Sequence, residues 1–405
     1  MARVRLALPS VLLVSGLLAG APRSAAGEET KPSEPHVTVA DDAIQPQVAL
    51  DEDGGVYVVF IREGNIEVSI STDRGKTFGR PRVAIDAGGK AGGGMQRGPR
   101  IGVGDKKTLI VTAPLAFDSA EYEKKYPTSE LFLVSSSDGG ATWTRPIQVN
   151  EAAKKAPEAL HWLAVAPGGS AHIAWLDLRG RRTPGQDLYY SRFVDGKLSP
   201  NVRVAQQVCE CCAPGLAVGA DGAPVVAWRE GGSVTQSREL WITSARDPGA
   251  FAAPQRLNQA ATQLQICPMS APAVAASADG KKVAAAWMDE RSGKKERRLH
   301  WAVAEAMNFT SDTPIEPDRK VLQDHPALAF DAAGTLWAAW EENDRSSPQT
   351  IRAAQLGKVG ASVASDAALG PASFPSVASR ARGGVVVVYE AGKKGDSIAV
   401  FHRLQ

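Results

Sequence analysis

Residues Gln45–Phe78 read QPQVALDEDGGVYVVFIREGNIEVSISTDRGKTF. Pro46 opens a first strand, and the acidic-glycine turn Asp51–Gly55 ends it. A second strand runs to Phe60 and a third to Ser71. The last eight residues, Ser71–Phe78, have the form S-x-D-x-G-x-T-F. Alternating apolar residues between Gly and Asp turns predict a small antiparallel β unit.

The unit repeats along the chain. Pro46 precedes Phe60 by 14 residues, and Pro214–Trp228, Pro326–Trp340 and Pro375–Tyr389 keep that interval. Pro272 precedes Trp287 by 15. Two units are degenerate: Pro99 leads to Ala113, and His161 stands where proline would precede Trp175. These second-strand positions recur about every 55 residues. Such a period predicts an all-β fold, a β-propeller of four-stranded antiparallel blades, with seven blades favoured and six the rival count. The units fall at 45–85, 97–149, 160–204, 212–258, 270–318 and 324–366, and the last stops after its third strand at Gln405. Residues 36–40, HVTVA, are expected to supply its fourth strand and remove the open edge.

The first 26 residues read as a secretory signal peptide. Arg3 and Arg5 precede the apolar run Leu6–Gly20, which is too short to span a bilayer, and small residues follow at Ser24–Gly27. Residues 27–35 are a polar leader, and 36–405 form one propeller domain. Secretion or a periplasmic location is expected. The whole chain carries a net charge of +2; without residues 1–26 this becomes −1, because that segment holds three arginines and no acid. Such a balance gives no bulk attraction for nucleic acid or a membrane surface. A monomer is expected. The longest insertion, Pro114–Thr128, interrupts the second unit and holds the one candidate helix, near Ser119–Lys125.

A second eight-residue box, Ser136–Trp143, repeats S-x-D-x-G-x-T-W. The two boxes resemble the Asp-box, or BNR, repeats of sialidases and related propellers. Physically the box is a folded turn, with Asp accepting backbone N–H groups and Gly free to take positive φ. The resemblance implies a glycan or other polar, anionic ligand, and an exo-sialidase or related glycoside hydrolase activity. In that family arginines grip the substrate carboxylate, a Tyr–Glu pair supplies the nucleophile and an Asp serves as acid/base. Arg97-Gly98-Pro99 resembles the family's early R-x-P motif, Asp118 is the acid/base candidate, and Arg229 matches a second arginine. The helper-Glu position falls on Val218 and the nucleophile position on Phe374. The usual Tyr–Glu pair is therefore missing, although Tyr389-Glu390 resembles the final blade.

In a propeller the first strands line the channel, and the boxes occupy one face. The inter-blade links and the loops after each second strand occupy the other. Those loops carry Arg62-Glu63, Asp118, Asp177 and Arg179, Arg229-Glu230, Asp289-Glu290-Arg291, Glu341-Glu342 and Glu390. This ring of mixed charge suits a small polar ligand or a glycan; the alternative is a set of turn ion pairs tying blades together. The same face collects Cys209, Cys211, Cys212, Cys267 and Met269, with His161, His325 and Met95 at equivalent points. In an exported protein disulfides are the first expectation. A soft-metal site, with copper as occupant, or a redox site is the alternative. No cofactor is otherwise required. A protein-binding scaffold without chemistry is the third function class.

Overall fold

In the computed structural model each repeat unit becomes an antiparallel sheet. Residues 36–404 are described, apart from 92, 95, 116–129, 152–159, 180–184, 232–237, 248, 263, 265–267, 292, 294–295, 359, 361, 381–383 and 394–395. Blade 1 is built of Ala43–Leu50, Val56–Arg62, Asn65–Ser71 and Arg82–Ile85, paired in chain order. Five further blades repeat this order, and blade 3 adds a two-residue strand, Lys197–Leu198. In blade 7, Ala372–Arg380, Gly384–Lys393 and Asp396–Arg403 are completed by Val37–Asp41. The first and last parts of the domain thus share one sheet, as residues 36–40 predicted.

The inner strands close the ring. Ala43–Leu50 touches Arg100–Val103, and contact passes through His161–Val165, Gly215–Val218, Ala273–Ala276, Leu322–Phe330 and Ala372–Arg380 back to the start. The count is seven. The second-strand positions that set the period, Phe60, Ala113, Trp175, Trp228, Trp287, Trp340 and Tyr389, are all buried. They join apolar clusters filled by adjoining blades; Trp340, for example, packs with Ala273 and Ala286 of blade 5. Burying each such ring contributes on the order of 2–3 kcal/mol, which is why aromatic residues mark the repeat.

The two boxes fold alike. Ser71 Oγ donates to Asp73 Oδ1 at 2.7 Å and accepts Gly75 N–H at 2.8 Å, while Thr77 donates its N–H and Oγ1–H to Asp73. Ser136, Asp138, Gly140 and Thr142 reproduce each bond. Each box also leans on the preceding blade. Phe78 packs edge-on against Phe401 of blade 7, and a Cβ on Gly140 would lie 3.0 Å from Ile70 of blade 1. The weak remnant Ser244–Phe251 keeps this habit, with Phe251 edge-on to Tyr190 of blade 3.

The hydrogen bond from Thr77, then that from Ser71, hold the Asp73 carboxyl well below its ordinary 3.8; Thr142, then Ser136, do so for Asp138. Both folded values are depressed, so the stability they confer is present above pH about 4 and lost as pH falls below it. Asp73→Ala is expected to lower the melting temperature at pH 7, with the gap from wild type narrowing as pH falls through 3.8. A pH series of calorimetric melts checks this.

Candidate functional site

The linker face owes its shape to a repeated backbone bulge. Gln45, His325 and Phe374 each precede a proline, and each has positive φ, at 54°, 47° and 54°. The pairing register slips there, between Ile44 and Gln47, Asp324 and Ala327, and Ser373 and Ser376. The inner strands therefore begin before their prolines. A non-glycine residue in this region costs roughly 1–3 kcal/mol, and something must hold it. The holder is a carboxylate from the preceding blade: Gln45 N–H donates to Glu390 at 2.9 Å, and Phe374 N–H to Glu341 at 2.7 Å. Glu341 also receives His325 Nδ1 at 2.7 Å, and His325 Nε2 meets Met269 O at 3.1 Å.

Burial opposes a proton on His325, but Glu341 and Asp324 outweigh it and raise its pKa to about 10. Because the folded value is raised, the pair's stabilisation is fully present below pH about 6.5 and lost as pH rises through 10. His325→Gln is expected to flatten the fall in melting temperature that wild type shows between pH 8 and 10, roughly one pKa range. Wild-type and variant melts that stay parallel over that window would contradict it.

Several charged residues expected from the sequence are paired with one another. Asp177 is fully buried and takes Arg179 Nε and Nη2 at 2.9 and 2.6 Å; that guanidinium lies 4.2 Å over the Tyr189 ring. Asp289 likewise takes Arg291, which also reaches Asp312 at 2.8 Å. Glu342 takes Arg319 at 2.7 Å. Glu230 is half-buried and donates its N–H to Glu239 O. Glu290 differs: it is 5% exposed and Oε1 has no partner. Asp118 lies outside the described residues, as do Cys267, Met95 and the candidate helix. Met269 is half-buried with φ 50°.

Two buried arginines stand out. Arg100, the residue after Pro99, donates to Pro99 O and Gln96 O and lies 4.5 Å over the Trp162 ring. Arg229 donates to Met288 O at 2.5 Å and Arg238 O at 3.4 Å. They are 6% and 1% exposed, and the Nε of each lacks an acceptor. Among the described residues neither has a carboxylate within ion-pair distance. Burial lowers the Arg100 pKa to about 10, so it stays charged at neutral pH. Arg97, the residue the sequence singled out, is half-buried and donates to Gly94 O at 3.4 Å. The signal for Arg100 is its place in the inner strand directly after the repeat's proline.

A network joins these arginines. Gln96, which accepts from Arg100, takes Ala271 N–H at 2.8 Å, linking blades 2 and 5 across the channel mouth. Ser270 N–H bonds to the Cys212 sulfur, and Arg229 favours the charged form of both Cys209 and Cys212. Arg238 Nη1 lies 3.8 Å from Cys209 Sγ. Cys209 and Cys212 are free thiols, Cys211 is disulfide-bonded, and the three sulfurs lie within 4.8 Å of one another. At the rim of this face a cleft of about 520 Å³ is lined by Glu296, Arg298, Lys320, Asn343, Asp344 and Arg345. The box face has a cavity of about 470 Å³, but four of its charged residues form two ion pairs, Lys107 with Asp53 and Arg380 with Glu52.

No family model and no curated protein matches the chain. Among solved structures, it is similar to an α-L-arabinanase of Penicillium chrysogenum, 18% identical over 80% of this chain and 99% of that one, with a TM-score of 0.52. It is also similar to an ulvan lyase of polysaccharide lyase family PL25, 11% identical over 91% and 96%, with a TM-score of 0.58. An intramolecular trans-sialidase of Ruminococcus gnavus aligns at 12% identity over 76% and 91%, with a TM-score of 0.48. No helix among the described residues is long and apolar enough to cross a membrane. At these identities the likeness concerns the fold alone, and the sheet topology makes that fold a seven-bladed β-propeller.

Proposed function

We propose that the chain is an exported Asp-box propeller whose linker face binds an anionic carbohydrate. The carrying observation is the pair Arg100 and Arg229, buried guanidiniums whose described partners are carbonyls and an aromatic ring. Arg100 has no counter-charge among the described residues, which is unfavourable by several kcal/mol, and a carboxylate or sulfate supplies the missing partner; Arg229, which favours the charged form of Cys209, adds positive charge to the same face. Trp162 beside Arg100 adds an apolar face to that anion preference, and the rim cleft, with Arg298, Lys320 and Arg345 beside Glu296 and Asp344, is polar and of mixed charge. The ulvan lyase was solved bound to -[GlcA(1-4)Rha3S]- and the arabinanase complexed with arabinobiose; both agree with a carbohydrate ligand.

The reading is of recognition without the sialidase nucleophile. Phe374, at that position, packs its ring 5.4 Å from His325. Tyr389 is fully buried, with its hydroxyl taken by Asp366 N–H. The test is a binding screen of uronate-containing, sulfated, sialylated and neutral oligosaccharides against wild type and Arg100→Met. Acidic glycans should bind, and the variant should lose at least about tenfold, or 1.4 kcal/mol. Equal binding of neutral and acidic sugars, or stable capture of one protein partner with indifference to every glycan, would overturn it.

A further inference from the structure

Gln96–Pro99 forms a short strap at the channel mouth, and both acceptors of the Arg100 fork come from it. Nη2 donates to Gln96 O at 2.8 Å and Nη1 to Pro99 O at 3.2 Å, while the guanidinium lies over the Trp162 ring. The far anchor is the Gln96 side chain, whose Oε1 takes Ala271 N–H at 2.8 Å and so reaches from the start of blade 2 to blade 5. Underneath, a Cβ on Gly98 would lie 2.5 Å from Gln45 Cβ, so this close approach of strap to inner strand requires the glycine. The strand that follows is fixed independently, with Ile101 N–H donating to Gln47 Oε1 at 2.7 Å.

The closed strap leaves three groups poorly served. Gln96 has φ 63°, left-handed backbone that a residue with a side chain takes only at a cost. Gln45 is 2% exposed, and among the described residues neither atom of its amide has a hydrogen-bond partner. Arg100 keeps its charge against neutral carbonyls and a ring, with Nε unpartnered. Lifting the strap gives all three access to water. Against this stands the single cross-channel bond from Ala271 to the Gln96 side chain.

We propose that Gln96–Pro99 is an autoinhibitory strap, which shuts the anion site by setting the Gln96 carbonyl where a ligand's anionic oxygen would meet Arg100, and which opens when Gln96 releases Ala271. This rests on the reading of Arg100 as an anion-binding residue. Arg100 is 6% exposed and its Nη2 is taken by Gln96 O, so a carboxylate or sulfate gains that donor only by displacing the strap. The exchange replaces a neutral acceptor with a charged one, which forms the stronger hydrogen bond. The apparent affinity is then the intrinsic affinity scaled by the fraction of molecules with the strap lifted. Weakening the Gln96–Ala271 bond raises that fraction without altering any group that touches the ligand.

The test reads the strap first in the unliganded protein. Hydrogen exchange follows the Ala271 amide, and phenylglyoxal, which modifies accessible arginines, reads Arg100 by peptide mass spectrometry. Gln96→Ala should speed both by about fivefold, the share of one hydrogen bond, whereas Gln96→Glu keeps an acceptor for Ala271 N–H and should speed neither. In wild type the Ala271 amide should exchange through local opening, faster than the amide of Val111, which is fully buried between two paired strands. That comparison needs no variant and decides the matter if a variant fails to fold. Ala271 protected as strongly as Val111, or Arg100 modified at one rate in wild type and Gln96→Ala, would overturn the strap. A uronate-bearing oligosaccharide should then bind Gln96→Ala about fivefold more tightly than wild type. Sugar bound equally by both, with Arg100 labelling unchanged, would overturn the strap and leave the anion site standing. Faster labelling of Gln96→Ala with no acidic sugar bound by either protein would overturn the anion site and leave the strap as a gate over Arg100.

Discussion

A chain that begins at Asp42 should melt about 8 °C below the full domain and should self-associate. Val37–Asp41 is the outer strand of blade 7, with Val37 opposite Phe401, Thr38 opposite Val400 and Ala40 opposite Ala399. Its removal deletes about four ladder hydrogen bonds, each contributing about 1 kcal/mol net. It also strips Val39 and Ala40 from a cluster shared with Phe60, Val388 and Phe401, worth about 2–3 kcal/mol of burial. A loss of about 6–7 kcal/mol shifts the melt by about 8 °C in a domain of this size, whose unfolding entropy is about 0.8 kcal/mol/K. Asp396–Arg403 then becomes an unpaired edge carrying Ile398, Val400 and Phe401, a template for another chain. Calorimetry with light scattering reads both effects. An unchanged melt and a monodisperse truncated protein would mean that the strand does not close the ring.

Gly75→Ala should be the most damaging single substitution in either box, at about 2–4 kcal/mol. Gly75 has φ 84°, and a Cβ there would lie 2.3 Å from Cζ of Phe401. The change combines left-handed backbone strain with overpacking of the contact between blade 1 and blade 7. The internal control is Gly139, with φ 69° and nothing within 4 Å of its would-be Cβ. Its counterpart in the first box is Arg74, which takes φ 65° with a full side chain. Gly139→Asn should therefore change stability by less than about 1 kcal/mol. Equal effects from the two substitutions in denaturant titrations would show that conformational strain alone, and not the packing on Phe401, makes the box glycine necessary.

The sequence exposes what is periodic and local. Proline-to-aromatic spacing locates five of the seven second strands because each aromatic fills the same interior position, the degenerate units at Ala113 and Trp175 follow from the period, and HVTVA announces the closing strand by alternation where a blade lacks one. The boxes are legible because their bonds run within eight residues. The bulges at Gln45, His325 and Phe374 are hidden: a residue before proline reads as extended, and the carboxylates that hold two of them, Glu390 and Glu341, come from the preceding blade. The charged loops follow the second strands as the spacing places them, but which charges satisfy one another is a matter of side-chain reach. Asp177 with Arg179 and Asp289 with Arg291 close on themselves two residues apart. Arg100 finds only carbonyls and a ring, and Arg229 carbonyls and the nearby Cys209 thiol, and that difference cannot be read from composition.

The decisive experiment for the anion site is a calorimetric titration of a uronate-bearing oligosaccharide, alongside its carboxyl-reduced neutral counterpart, into wild type and into Arg100→Met and Arg229→Met. Binding of the acidic sugar to wild type alone, falling at least about tenfold in each variant and weakening with salt, is the predicted result. Indistinguishable affinity for the acidic and neutral sugars, or full affinity retained in folded arginine variants, would contradict an anion site at the mouth of the channel.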